Sequence, residues 1–217
     1  NICPFGGTFG LPCILGVLFF FLQGWGCGYR TLQTLCSWVR FQKKRFNQGV
    51  RQTEPSLQDI QEALVTMGDK QPSLIGSKEW IGSYEVCICI DHFYDVPCKI
   101  LHVNSGTELV EKMPDLWKHF QDVGSPVMMG GDSDASSKGI MGIFIGQQKT
   151  YLLVLDPHFY GEPTFDALQS SSHLLWKPLD SFMENSFYNL CLPVLKASVS
   201  CLLRVTGAVE EEGREAG

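Results

Sequence analysis

The chain has 217 residues, 44% of them hydrophobic and 12% aromatic, which is enough apolar mass to bury the core of a single globular domain. Its net charge is −6 with a pI near 5.3, and its only dense basic run is Lys43-Lys44-Arg45. It lacks the electrostatic footprint that phosphate backbones or anionic lipid require, so no nucleic acid is expected as a partner. The nine cysteines, at 3, 13, 27, 36, 87, 89, 98, 191 and 201, follow no repeating frame. That argues against a secreted disulfide scaffold and for a reducing, cytoplasmic compartment.

The apolar run 11–22 (LPCILGVLFFFL) falls short of the roughly 20 residues that a spanning helix needs. No Lys or Arg precedes it, the first being Arg30, so the basic start of a signal peptide is missing. The chain begins at Asn1 and not at Met, which points to an incomplete or replaced segment upstream of Gly24. Residues 1–23 are therefore set apart as an atypical apolar segment.

The first clear helix starts at Cys27, where Leu32, Leu35, Cys36 and Val39 form an i, i+3, i+4, i+7 stripe. A second starts at Pro55-Ser56, with Asp59 three residues on as the capping partner and Leu57, Ile60, Leu64 and Met67 on one face, ending near Gly68. Over 78–94 the residues Trp80, Ile81, Tyr84, Cys87 and Ile88 recur at helical spacing, and 99–103 then alternates like a strand. A third surface helix is expected over 107–121, with Leu109, Val110, Met113, Leu116, Trp117 and Phe120 inward and a kink or delay at Pro114.

From Pro126 the texture becomes β-rich: short runs at 127–129, 140–145, 151–155, 174–176 and 187–192 are separated by Gly, Ser, Asp and Pro. Strands so closely spaced predict an antiparallel sheet. The whole reads as an α+β domain, a helical half carrying a cysteine at a helix start, packed on a mostly antiparallel sheet. The acidic end 207–217 has no aromatics and reads as a disordered tail.

A thiol attacks an acyl carbon as thiolate, and the dipole and free N–H groups of a helix N-terminus favour that anion, which singles out Cys27. Glycines around it, in Gly24-Trp25-Gly26-Cys27-Gly28, let a substrate chain approach, and Trp25 can wall the cleft beside the thiol. Alone, a cysteine after glycine is more often structural. The strand 151–155, however, ends in Asp156-Pro157-His158, which sets a carboxylate and an imidazole two residues apart on one face. His158 can take the Cys27 proton while Asp156 fixes the ring, a Cys, His and Asp constellation.

The segments GWGCGYRTLQTLCSW (24–38), EALVTMGDKQ (62–71), EWIGSYEV (79–86), PVMMGGDSDASSK (126–138), LDPHFYG (155–161) and SFYNLCL (186–192) resemble the ubiquitin-fold modifier 1 specific proteases, the short form above all. The resemblance runs over 24–192, leaving 193–217 as a non-family extension. It implies a papain-like cysteine protease fold, a thiol isopeptidase cleaving after the modifier's C-terminal glycine, and a catalytic set of Cys27, Asp156 and His158. The implied partner is ubiquitin-fold modifier 1, as precursor and as conjugate; the enzyme itself is expected to be a monomer without cofactor or metal. The family also carries an upstream tyrosine that helps form the oxyanion hole, whereas 1–28 contains no tyrosine; Gln23 is a weak substitute, and loss of one such donor costs about 100- to 1000-fold in turnover.

Two rival readings stay open: a modifier-binding protein that has lost turnover, and a relative of the autophagy-type cysteine proteases, which share a Cys, then Asp-Pro-His, order. Gly130 and Gly131, in Met128-Met129-Gly130-Gly131-Asp132, could line a groove too narrow for side chains, the place for a glycine tail; a plain hairpin turn is the equal alternative. Trp80, Asp132 and Asp134 could contact the body of the modifier, but Trp80 reads more readily as core and the two carboxylates as solvated. A zinc set of Cys87, Cys89, His92 and Cys98 is disfavoured because helical residues two apart diverge. His102, His119 and His173 have no suitable partners in sequence and are taken as incidental.

Overall fold

A computed structural model describes residues 2–4 by their backbone, and 25–133, 136–161 and 164–195 in full. The apolar run 11–22, Gln23, Asp134 and the acidic end 207–217 lie outside the described residues. In chain order the elements are β1 (Ile2–Pro4), α1 (Cys27–Arg45), α2 (Leu57–Thr66), α3 (Ser83–Tyr94), β2 (Cys98–Val103), α4 (Leu109–Asp122), β3 (Val127–Gly131), β4 (Ser137–Ile145), β5 (Thr150–Leu155), α5 (Phe165–Ser170), β6 (Leu174–Pro178) and β7 (Tyr188–Pro193). The strands form one sheet in the order β2-β7-β3-β4-β5-β6, antiparallel at every pairing, with β1 also paired to β4.

Side-chain alternation divides the sheet into two apolar faces. Met128, Met141, Leu155 and Cys191 face one core, shared with Tyr29, Leu32, Leu35, Ile60, Leu64, Val86 and Ile90 of α1, α2 and α3. Val127, Met129, Leu152, Val154, Leu190 and Leu192 face a second core, closed by Leu109, Met113, Leu116 and Phe120 of α4. Ile140 and Ile143 both join that second core although three residues apart. A bulge between Ile140 and Gly142 makes this possible, because the extra residue resets the alternation.

The Ser56 side chain accepts from the Asp59 backbone N–H while the Asp59 carboxylate accepts from Ser56 N, the reciprocal cap expected for α2. Helix α1 starts at Cys27 as expected, but everything from Cys27 to Val39 is buried, not one stripe alone, because it is enclosed by the sheet and the other helices. Pro114 lies inside α4 without ending it. Of the face expected to point inward there, Val110 is exposed.

Helix α3 corrects the expectation for 78–94. It begins only at Ser83, and its buried residues are Ser83, Val86, Cys89, Ile90 and Tyr94. Trp80 and Tyr84, two of the residues whose helical spacing defined the expected face, are exposed. Of the residues that marked the helix, Ile81 is buried and Cys87 and Ile88 pack against the first core, while the fully buried side also includes a serine and a cysteine.

His119 is 8% exposed, and its Nε2 lies 2.8 Å from Ser125 Oγ, which itself donates to the Pro193 carbonyl at 3.0 Å. Since the hydroxyl has only one hydrogen, His119 is the neutral Nε2–H tautomer donating to Ser125. Burial lowers its pKa to about 4. Between that value and the unfolded value near 6.5, only the unfolded chain takes up the proton. Stability is therefore expected to fall as pH drops through this window, by on the order of 3 kcal/mol. Urea unfolding at pH 7 and at pH 4.5 checks this, and His119→Gln should flatten the difference.

Candidate active site

Cys27 is the first residue of α1, after Gly26. The first backbone bond of the helix runs from Arg30 N to Gly26 O at 3.0 Å, so the N–H groups of Cys27, Gly28 and Tyr29 have no partner within the helix ladder. No acidic residue occupies the first turn, leaving a helix start that suits an anion. Cys27 itself is buried, with its thiol free.

Gly28 is a glycine for a packing reason. A Cβ there would lie 2.9 Å from Ile81 Cγ1 and closer still to the Ile81 carbonyl oxygen. The close approach that the glycine permits is thus to the chain's own segment before α3, where the sequence suggested room for a substrate. Gly28→Ala is expected to lower stability by about 1 to 3 kcal/mol through overpacking, despite the helix propensity gained, and to shift the start of α1. Chemical denaturation measures the first effect.

Trp25 stacks edge-on against Tyr29, with ring centroids 5.7 Å apart, and packs on the first core. Tyr29 is fully buried, and its hydroxyl donates to the Glu79 carbonyl at 3.0 Å. Trp25 thereby braces the turn that presents Cys27.

The second part of the site comes from the end of β5. Asp156 Oδ1 accepts from the His158 backbone N–H at 2.9 Å and pairs with His158 Nδ1 at 2.7 Å. Asp156 N donates to the His173 carbonyl at 2.7 Å, next to the start of β6, so the loop is pinned from both sides. Burial works against the Asp156 carboxylate, yet the hydrogen bonds from the His158 backbone and ring hold its pKa below the ordinary value. With Nδ1 tied to the carboxylate, Nε2 is the ring nitrogen left to exchange a proton.

Cys27 and His158 belong to segments that the fold packs together. Strand β5 pairs with β4, whose Met141 shares a core with Tyr29 and Leu32 of α1 and with Leu155 and Phe159 on either side of the Asp-Pro-His turn. Arg30, one turn after Cys27, is buried as well, and burial lowers its pKa.

Gly130 and Gly131 line a cleft of about 230 Å³ together with Trp80, Ile81, Gly82, Ser83, Ser136, Ser137, Phe187 and Asn189. Its wall at Ile81 is the residue against which Gly28 packs, which joins the cleft to the start of α1. Trp80, read from sequence as core, is 49% exposed at this cleft; it precedes α3, so the helical spacing that suggested burial does not apply. Trp25 is not among the cleft's lining residues. Asp132 is exposed, as read from sequence, and its carboxylate also accepts from Ser133 N, Ser186 Oγ and Phe187 N, clamping the β3–β4 loop to the start of β7. A polar residue that sequence reasoning missed is Ser83, whose hydroxyl donates to the Asn189 carbonyl at 2.8 Å and fixes α3 to β7 beneath the cleft.

Cys87 and Cys89 diverge as expected, the first half-buried and the second fully buried. No group of three or more His, Cys, Asp or Glu among the described residues could hold a metal ion. No helix among those residues is long and apolar enough to cross a membrane.

A cysteine at a helix start, an Asp-braced imidazole on an antiparallel sheet and a glycine-lined cleft define a papain-like cysteine peptidase. The family model described as Peptidase family C78 matches residues 20–191, and the chain belongs to that family. Ufm1-specific protease 1 of Mus musculus is 45% identical over 172 residues, 78% of this chain and 76% of that protein. Ufm1-specific protease 2 of Homo sapiens is 38% identical over 175 residues, and there the chain spans only 35% of the longer protein. A crystal structure of UfSP from C. elegans superposes with a TM-score of 0.68 at 31% identity, covering 84% of this chain and 33% of that one.

Proposed function

We propose that this chain is a thiol protease and isopeptidase that cleaves after the C-terminal glycine of the modifier Ufm1, both to mature its precursor and to release it from conjugated proteins. The observation that supports the residue roles is the Asp156–His158 pair at the end of β5, flanked by Leu155 and Phe159, which share a core with the helix that begins at Cys27. The substrate follows from the relatives, which are named Ufm1-specific proteases.

In this reading the protease unit spans 24–192. His158 Nε2 takes the Cys27 proton, and the sulfur attacks the carbonyl of the terminal glycine. The backbone N–H of Cys27 supports the oxyanion, and His158 returns the proton to the leaving amine. Water, activated by the same imidazole, then releases the modifier from the thioester. Asp156 balances the imidazolium charge at each stage. Gly130 and Gly131 line the path of the glycine tail, and Trp80 offers a flat apolar contact beside it. The free thiols among the described residues suit a reducing, cytoplasmic setting.

The test is to incubate the chain with Ufm1 carrying a C-terminal electrophile and to locate the adduct by mass spectrometry. An adduct on Cys27 supports the proposal. Binding without an adduct replaces it with a non-catalytic modifier-binding role, and an adduct on another cysteine overturns the assignment of the nucleophile. Trp80→Ala is expected to raise KM for Ufm1 about tenfold, consistent with an exposed aromatic anchor worth over 1 kcal/mol, while leaving adduct formation with a small thiol reagent unchanged.

A further inference from the structure

Away from the cleft's floor, three cysteines from three different elements meet. In the β2–β7 register Ile100 lies opposite Cys191, so Cys98, two residues earlier on β2, projects to the same face as Cys191. Helix α3 covers that face and brings Cys87 onto it, with the Cys87 sulfur 4.0 Å from the Cys98 carbonyl oxygen. All three pack in or against the first core. The Cys98 thiol donates toward the Val96 carbonyl at 3.9 Å, and Cys191 hydrogen-bonds to Cys87.

Their surroundings differ in a way that assigns roles. Cys191 is fully buried in the middle of β7, between β2 and β3. Cys87 and Cys98 are half-buried, and Cys98 opens β2, the edge strand of the sheet. Hydrogen bonding from Cys191 lowers the Cys87 pKa against the effect of burial, and the same bond raises that of Cys191. Cys87 is thus the thiol whose anion this arrangement favours, Cys191 is a buried donor, and Cys98 stands at the start of the edge strand.

We propose that Cys87 is a peroxide-reactive modification site, with Cys98 as the thiol that resolves it to a disulfide. The Cys87 thiolate attacks one oxygen of a hydroperoxide; the O–O bond breaks, and hydroxide leaves and is protonated to water. Cys87 is then a sulfenic acid, oxidised by two electrons, and the peroxide is reduced. Cys98 sulfur attacks the sulfenic sulfur, the S–O bond breaks, and the departing hydroxide takes the Cys98 proton as a second water. The product bond ties α3 to β2 one turn after the helix start, where Ser83 lines the cleft. The site shares no residue with Cys27, Asp156 or His158, so it stands apart from the peptidase chemistry.

The experiment treats the whole chain with hydrogen peroxide, alkylates the remaining thiols and maps the peptides without reduction. The expected result is a Cys87–Cys98 linkage that dithiothreitol removes, with Cys87 lost to alkylation about tenfold faster than the buried Cys36. In Cys98→Ser, Cys87 should accumulate as a sulfenic acid that dimedone traps, and in Cys87→Ser, Cys98 should stay reduced. The native chain alone decides the linkage, so poor folding of either variant does not protect the proposal. A Cys87 that stays fully alkylatable after peroxide, a linkage to Cys191 instead, or Cys98 oxidising equally fast in Cys87→Ser would each overturn it.

Discussion

Cys27→Ala is expected to abolish cleavage of Ufm1 precursors while leaving Ufm1 affinity within a factor of two. Loss of a nucleophile that acts as one unit with its base removes on the order of a millionfold in turnover. The other cysteine of the same helix, Cys36, lies wholly buried two and a half turns along it and cannot replace the nucleophile. The fold should tolerate the change, because alanine has the highest helix propensity and the thiol occupies a first-turn position beside Gly26. Binding should survive because the cleft residues Trp80, Gly130 and Gly131 are untouched. Steady-state cleavage and calorimetric titration of Ufm1 separate the two effects, and unaltered turnover would remove Cys27 from the mechanism.

Much of this arrangement was legible in the sequence because its parts are local. The Ser56–Asp59 cap depends on residues three apart, the start of α1 on a glycine turn ahead of an apolar run, and the pairing of Asp156 with His158 on residues two apart. The β-rich second half also read correctly as an antiparallel sheet, though β1 and the short α5 were not expected.

What could not be read depends on contacts between distant segments. Gly28 is dictated by Ile81, and the thiol set by the β2–β7 register that places Cys191 near Cys98. Periodicity misled over α3 because a helix can carry apolar residues on both sides. Tyr84 lies on its outer face while Val86 and Ile90 lie on the inner one, and spacing in sequence cannot say which face meets the sheet. Trp80 was drawn into the same error, and with it the cleft wall it forms.

Asp156→Asn is expected to cut kcat/KM for Ufm1 precursors by about four orders of magnitude with no change in melting temperature beyond a few degrees. The carboxylate has two tasks at one oxygen, accepting from the His158 backbone N–H and from the ring at Nδ1. Asparagine keeps the shape, and its carbonyl oxygen can still cap the backbone N–H, so the turn should hold. The amide, however, carries no charge to balance the imidazolium formed when His158 takes the thiol proton. If the amide NH2 turns toward the ring instead, Nδ1 becomes the acceptor and the ring proton moves to Nε2, where it cannot receive another. The lowered Asp156 pKa fixes the sign of the pH behaviour. A depressed carboxylate contributes fully above its unfolded pKa and is lost only as pH falls through the still lower folded value. Protonation of Asp156 is therefore not what stops turnover in mildly acidic solution, and the variant should be impaired equally at pH 6 and pH 8. A loss of less than tenfold, with the fold intact by circular dichroism, would mean that His158 is oriented by its backbone alone and that the Asp156 charge is dispensable.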